Sequence, residues 1–143
     1  MSPRRLLIKS VTVDSRFLDH FATSRWRGFG LGIRRFTTHV HSFLEGCLKT
    51  IRKSNSSCII AFVGLYNPFG KDITPDKIDF LNSWNYNTEQ LITTDENTLF
   101  IPTYDLFKYN LDKYLTIDKF HPNSTGYKAI SKRLLEALTT LIN

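Results

Sequence analysis

The 143-residue sequence contains no run of 18 apolar residues, so we expect no segment of it to span a membrane. Its two cysteines, Cys47 and Cys58, are too few for a disulfide framework and do not have metal-ligand spacing, so we expect two small buried side chains. The apolar run at residues 6–8 is too short for a signal peptide, so the sequence leaves the localisation unknown, and the chain is expected to be cytoplasmic only as it stands. The hydrophobic content of 41% is typical of one globular domain.

Charge is unevenly distributed along the chain. Residues 1–53 hold 11 Lys and Arg against 3 Asp and Glu, a net charge of +8, whereas residues 54–143 hold 8 against 10, a net charge of −2. Basic residues and aromatic side chains together are typical of nucleic-acid-binding surfaces. An irregular, poorly folded segment would look the same, and we favour it because no period of 2 or 3.6 persists through residues 1–35. We therefore expect an irregular basic segment at residues 1–35 and a folded unit at residues 36–143.

The C-terminal three quarters of the chain predict alternating helices and strands. Apolar residues recur at intervals of three and four through residues 40–51, which predicts an amphipathic helix. The apolar run at residues 58–63 predicts a buried parallel strand, and residues 98–101, just before a proline, predict a second. Further helices are expected after Thr74 and from about residue 125 to residue 142. This order of elements predicts the second half of a three-layer α/β domain.

The pattern with the clearest chemical meaning lies just before the last predicted helix. Asp118 precedes His121 by three residues, in a turn that continues into Pro122 and the helix-capping residue Asn123. A carboxylate in this place can accept a hydrogen bond from one ring nitrogen of the histidine, which leaves the other nitrogen free to take a proton from a nucleophile. The pair therefore predicts the acid and base members of a hydrolytic triad. A capped surface helix with a chance Asp and His is the plain structural alternative.

Residues 118–127 match the pattern D-x-x-H-P-N-x-x-G-Y at six positions, and they resemble the last signature block of the SGNH, or GDSL-type, lipases and acylhydrolases. Residues 64–69 also resemble the G-L-Y-N-P-F segment of a bacterial subgroup of this family. The likeness runs from about residue 36 to residue 143, as the C-terminal portion of such a domain. It implies a flavodoxin-like α/β/α sandwich, incomplete here, with the site at the carboxyl ends of parallel strands.

The resemblance also identifies what this sequence lacks. Family members open with a strand and a G-D-S block that carries the nucleophilic serine, and the asparagine of a G-x-N-D block supplies an oxyanion donor. Neither block occurs in these 143 residues. The nearest candidate nucleophile is Ser15, but no glycine precedes its Asp-Ser pair, and only about 105 residues separate it from His121. Ser15 is therefore a weak candidate, and a serine in a surface turn is the alternative.

The resemblance implies an ester hydrolase that acts on small or lipid-like carboxylic esters through a Ser-His-Asp triad, of which this chain keeps Asp118 and His121. No metal or cofactor is implied, because the chemistry is acyl transfer through serine. Tyr66 and Asn67 follow a predicted strand on the expected active face, where they line a substrate cleft or close a turn with Pro68. The alternative is an inactive fragment or a binding module whose basic third contacts nucleic acid or an anionic surface, although nucleic acid is not the expected partner. Family relatives are often exported or membrane-anchored.

Overall fold

The computed structural model describes the backbone of residues 29–142 and the side chains of residues 41–142. Helices and strands alternate through the first part of this range, and three helices complete it. In chain order the elements are α1 (Phe29–Ser54), β1 (Ile60–Val63), α2 (Pro75–Ile92), β2 (Thr98–Ile101), α3 (Tyr104–Lys108), α4 (Leu111–Tyr114) and α5 (Ser124–Ile142), with a turn of 3₁₀ helix at Gly70–Asp72. None of the helices in this described part is long and apolar enough to cross a membrane.

Strands β1 and β2 pair in parallel, with Ile60 opposite Thr98 and Val63 opposite Ile101. A parallel pair needs a crossover connection, which helix α2 provides. The two strands therefore end at the same edge of the sheet, and the loops that follow them leave from that edge. This parallel α/β arrangement confirms the fold class predicted from the sequence.

The core lies on both faces of this small sheet. Phe62 and Phe100 are partners in the strand register and stack with their ring centroids 6.4 Å apart. Leu44 of α1 and Ile92 of α2 are buried in the same cluster as Phe62. Ile101 points to the opposite face, because side chains alternate along a strand, and it too is fully buried. Helix α5 packs against β2, and both faces of this strand are therefore covered.

Helix α1 is longer than its sequence pattern predicts. It begins at Phe29, so residues 29–35, which show no apolar period, are helical. Gly30 and Gly32 have low helix propensity, so the sequence of this stretch does not indicate a helix. Phe43 was expected on the buried face but is 65% exposed, and Cys47 is only partly buried, whereas Cys58 is buried as expected. Residues 1–28 lie outside the described range, and the division at residue 36 stays a prediction.

The opposite edge of the sheet is held by Arg52, near the end of α1. Its guanidinium pairs with Asp95 and donates hydrogen bonds to the carbonyl oxygens of Cys58 (2.7 Å) and Asn97 (3.2 Å). Cys58 stands two residues before β1 and Asn97 one residue before β2. One side chain thus connects the segments that lead into both strands, and this edge of the sheet has a structural role.

Candidate active site

A tight loop between α4 and α5 carries the Asp-His block. Its two sides pair as an isolated antiparallel bridge between Leu115 and Pro122. The backbone N–H of Thr116 donates to the carbonyl of His121 (2.8 Å), and the N–H of Asn123 donates to the carbonyl of Tyr114 (2.8 Å). These bonds close residues 115–122 into a loop with a defined shape, which is called the Asp-His loop below.

Asn123 caps helix α5, as its position in the sequence predicts. Its Oδ1 accepts hydrogen bonds from the N–H groups of Thr125 (2.9 Å) and Gly126 (3.0 Å). Its Nδ2 also donates to the carbonyls of Lys113 and Leu115, at 2.9 Å each. Gly126 is needed here because a Cβ at this position would lie 2.4 Å from the carbonyl oxygen of Tyr114. The capping residue and the glycine together seat the Asp-His loop on α5.

The carboxylate of Asp118 uses its two oxygens for different purposes. Oδ2 lies 2.6 Å from Nδ1 of His121. Oδ1 accepts hydrogen bonds from the hydroxyl of Thr116 and from the N–H groups of Phe120 (2.8 Å) and His121 (2.9 Å). The hydrogen bond from Thr116, followed by those from the ring and the N–H of His121 and the N–H of Phe120, holds the pKa of Asp118 well below its ordinary value. The carboxylate is therefore charged at neutral pH and accepts a hydrogen bond from the protonated Nδ1 of His121.

His121 has one ring nitrogen engaged and one open. The side chains of Asp118 and His121 are 48% and 47% exposed, so the pair is accessible from solvent. The ring of Phe120 meets that of His121 edge to face, with centroids 5.2 Å apart. No hydrogen bond within the described residues reaches Nε2. A ring that carries its proton on Nδ1 has an unprotonated Nε2, which can act as a general base.

Tyr66 connects the Asp-His loop to the sheet. Its hydroxyl donates a 2.6 Å hydrogen bond to the carbonyl of Phe120, and its ring stacks on that of Phe107 with centroids 4.0 Å apart. Burial, followed by the charges of Tyr127 and Asp118, raises the pKa of Tyr66 well above its ordinary value. Because Tyr66 follows β1, this contact places the Asp-His loop at the carboxyl edge of the parallel strands, where the sequence resemblance implied a site.

Asn67 closes a turn, which is the second of the two roles expected for it. Its side chain is only 4% exposed. Its Oδ1 accepts a hydrogen bond from the N–H of Phe69, and its Nδ2 donates to the carbonyl of Gly70, both at 2.8 Å. An amide that is buried and bonded in this way is not available to a substrate, so we do not retain Asn67 as a substrate-binding candidate.

Two polar side chains hold the carboxyl ends of the strands, and neither stands out in the sequence. Asn85 of α2 exchanges two hydrogen bonds with the backbone of Leu65, both at 2.8 Å. The buried hydroxyl of Thr103 donates to the carbonyl of Gly64 (2.7 Å), so it joins the two loops that follow β1 and β2. These contacts hold together the loops at the carboxyl edge of the strands, where Tyr66 lies.

The serine that would complete a triad is not found at a strand end of the described part. The candidate nucleophile Ser15 lies outside the described residues. Ser83 is within α2 and Ser124 is the first residue of α5, so neither occupies a strand-to-helix turn. Among the described residues no group of three or more His, Cys, Asp or Glu side chains could hold a metal ion. The basic N-terminal residues that the alternative invokes are largely outside the described side chains.

Comparisons with known proteins agree on one family. A family model described as GDSL-like lipase/acylhydrolase matches residues 11–134, beginning inside the segment expected to be irregular. The spore germination lipase LipC of Bacillus licheniformis is 31% identical over 105 residues, covering 71% of this chain and 48% of LipC. The uncharacterized protein YpmR of Bacillus subtilis is 31% identical over 100 residues, covering 66% of this chain and 38% of YpmR. The chain thus spans about half the length of these relatives, or less.

A solved structure shows the same relationship. The crystal structure of the lipase Lip_vut3 from a goat rumen metagenome is similar to this chain with a TM-score of 0.69 and 26% sequence identity. The similarity covers 86% of this chain and 58% of that lipase, in agreement with an incomplete SGNH sandwich. The match to the family model and the likeness to these relatives show that the chain belongs to the GDSL-like lipase/acylhydrolase family of serine ester hydrolases.

Proposed function

We propose that this chain carries the acid and base pair of a carboxylic ester hydrolase, with His121 as the general base and Asp118 as the carboxylate that orients it. The observation that carries the proposal is the 2.6 Å contact between Oδ2 of Asp118 and Nδ1 of His121, while Nε2 has no hydrogen bond to any described residue. The substrate class is a carboxylic ester of small or lipid-like type, in keeping with the lipase names of the relatives.

The proposed chemistry assigns each atom of the pair a task. Nε2 of His121 takes the proton of a serine hydroxyl while the serine oxygen attacks the ester carbonyl. The imidazolium then gives this proton to the departing alkoxide, and water repeats the sequence on the acyl-enzyme. Asp118 stays ionised throughout and stabilises the imidazolium. Its low pKa suits this task, since an ionised carboxylate accepts the hydrogen bond from Nδ1 more strongly than a neutral carboxyl group does.

The nucleophile is the missing part of this scheme. Loss of a triad serine costs on the order of 10⁴–10⁶ in rate, and loss of one oxyanion donor about 10²–10³. Because the sequence has no G-D-S and no G-x-N-D block, we expect the 143-residue chain to show little or no esterase activity. Purified protein assayed with p-nitrophenyl butyrate and a fluorophosphonate probe tests this expectation. Labelling of one serine per chain, lost in His121→Ala but not in His41→Ala, would contradict it, and loss in Ser15→Ala would identify that serine as the nucleophile.

A chimera tests the function itself. Residues 58–142 of this chain would replace the equivalent part of the goat rumen lipase, which supplies its own serine and oxyanion donors. The proposal predicts ester hydrolysis that falls on the order of 10³-fold or more in His121→Ala and in Asp118→Asn. Asp79→Asn, which changes an exposed carboxylate of helix α2, is the matched control and should leave the rate unchanged. A folded chimera that is inactive, or as active with His121→Ala as without it, would overturn the proposal.

A further inference from the structure

Besides the contact of Oδ2 with His121, the carboxylate of Asp118 is held through its other oxygen, Oδ1. Oδ1 has three donors, and two of them are the backbone N–H groups of Phe120 and His121. The third donor is the hydroxyl of Thr116. Among the described residues, it is the one side chain that donates to this oxygen. Backbone donors do not depend on residue type, so the part of this arrangement that the sequence specifies is the hydroxyl at position 116.

Thr116 is held by the same loop that it serves. Its N–H donates to the carbonyl of His121 (2.8 Å), and its carbonyl accepts from the N–H of Lys119 (3.0 Å). Lys119 itself adopts a left-handed backbone conformation with φ of 59°, which turns the chain back towards His121. Because the backbone of Thr116 is bonded at both groups, its Cα is held beside Asp118, where its hydroxyl is within reach of the carboxylate.

A lysine does not substitute for this contact. Lys119 is the cation adjacent to Asp118 in sequence, but its Nζ pairs with Oδ1 of Asp112 at 2.9 Å. The side chain of Asp118 is 48% exposed, so water competes for both of its oxygens. Hydrogen bonds to Oδ1 oppose this competition and leave Oδ2 facing Nδ1 of His121.

We infer that Thr116 is a positioning residue of the acid–base pair: its hydroxyl fixes the carboxylate of Asp118 so that Oδ2 faces His121. The inference rests on the proposed function of that pair. The hydrogen bond from Thr116 is also the largest cause of the low pKa of Asp118, which is the electrostatic consequence of the same contact. A threonine two residues before the catalytic carboxylate would thus act through Asp118 without touching the substrate.

Side-chain couplings measured by NMR on the 143-residue chain test this role without requiring activity. We expect the three-bond couplings of Asp118 to report one χ1 rotamer in the unsubstituted chain. They should average over rotamers in Thr116→Val and Thr116→Ala, which lack the hydroxyl, and return to one rotamer in Thr116→Ser. Thr139→Val is the matched control, since it removes a hydroxyl bonded to the carbonyl of Leu135 in α5.

The outcomes separate this inference from the proposed function. If Asp118 keeps one rotamer in both Thr116→Val and Thr116→Ala while their amide spectra show a folded chain, the inference is overturned and the acid–base pair stands. If the unsubstituted chain does not carry the His121 ring proton on Nδ1, the pair itself fails and the role of Thr116 fails with it. Averaging in the two variants, with recovery in Thr116→Ser, supports the inference.

Discussion

The hydroxyl of Tyr66 donates a 2.6 Å hydrogen bond to the carbonyl of Phe120, a residue 54 positions further along the chain. Phe120 lies between Asp118 and His121, so this bond connects the loop after β1 directly to the Asp-His loop. The ring of Tyr66 is held at the same time by stacking on the fully buried Phe107. This tyrosine therefore connects the loop that carries His121 to the strand ends.

Removal of the Tyr66 hydroxyl should loosen the Asp-His loop while leaving the core intact. Tyr66→Phe keeps the stacked ring and loses one hydrogen bond, which contributes about 1 kcal/mol. We expect a loss of stability of this size and faster amide exchange in residues 116–121. Tyr109→Phe is the control, because the side chain of Tyr109 is 81% exposed. Unchanged exchange in Tyr66→Phe would show that the hydrogen bond does not hold the loop.

The same residue predicts a dependence of stability on alkaline pH. Burial raises the pKa of Tyr66 above its ordinary value of 10.0, so the folded chain keeps this proton more tightly than the unfolded chain does. The stabilisation is complete below 10.0 and is lost as the pH rises through the folded pKa. Urea unfolding should show a smaller alkaline loss of stability in Tyr66→Phe than in the unsubstituted chain. Parallel pH profiles for the two proteins would contradict this account.

Two glycines in helices should respond oppositely to alanine. A Cβ at Gly126 would lie 2.4 Å from the carbonyl of Tyr114, so Gly126→Ala must shift the Asp-His loop or the start of α5. We expect a loss of about 1–3 kcal/mol. Gly46 in α1 has nothing within 4 Å of the same point, and Gly46→Ala should stabilise the chain by roughly 0.5–1 kcal/mol. Urea unfolding measures both, and a destabilised Gly46→Ala or a neutral Gly126→Ala would contradict the packing described.

Arg52 should matter for stability and not for chemistry. Arg52→Ala removes the ion pair with Asp95 and the hydrogen bonds to the carbonyls of Cys58 and Asn97, which we expect to cost about 2–3 kcal/mol. Lys49→Ala, which removes an exposed helical ion pair with Glu45, should change stability by less than about 0.5 kcal/mol. Thermal unfolding compares the two variants. Equal effects would mean that the Arg52 network does not connect the strands.

The parts of the fold that local chemistry decides could be predicted from the sequence. The second strand was predicted with its observed bounds, and Asn123 has the capping role expected of it. Phe107 was missed as a core residue, because it lies in a short helix within a stretch that reads as a polar connection. Helix propensity also failed at the start of α1, where two glycines lie within the helix.

The residues of the candidate site also fall into two groups: those that could be predicted from the sequence and those that could not. Asp118 and His121 could be identified because they lie three positions apart in one turn. The support from Tyr66 could not, since the partners lie 54 residues apart and the acceptor is a backbone carbonyl that any residue provides. Thr116 was missed for another reason: a threonine two residues before an aspartate is a common local pattern, and only the loop geometry gives it a direction.

The central claim is that Asp118 holds His121 in the tautomer that leaves Nε2 free to act as a base. Long-range proton–nitrogen correlation spectra of the histidine rings measure this directly, at a pH where the ring is neutral, with His121→Ala to assign the signals. We predict that His121 carries its proton on Nδ1 and that Asp118→Asn changes this tautomer, whereas Asp79→Asn, at an exposed carboxylate of α2, does not. A ring protonated on Nε2 in the unsubstituted chain, or an unchanged tautomer in Asp118→Asn, would contradict the account.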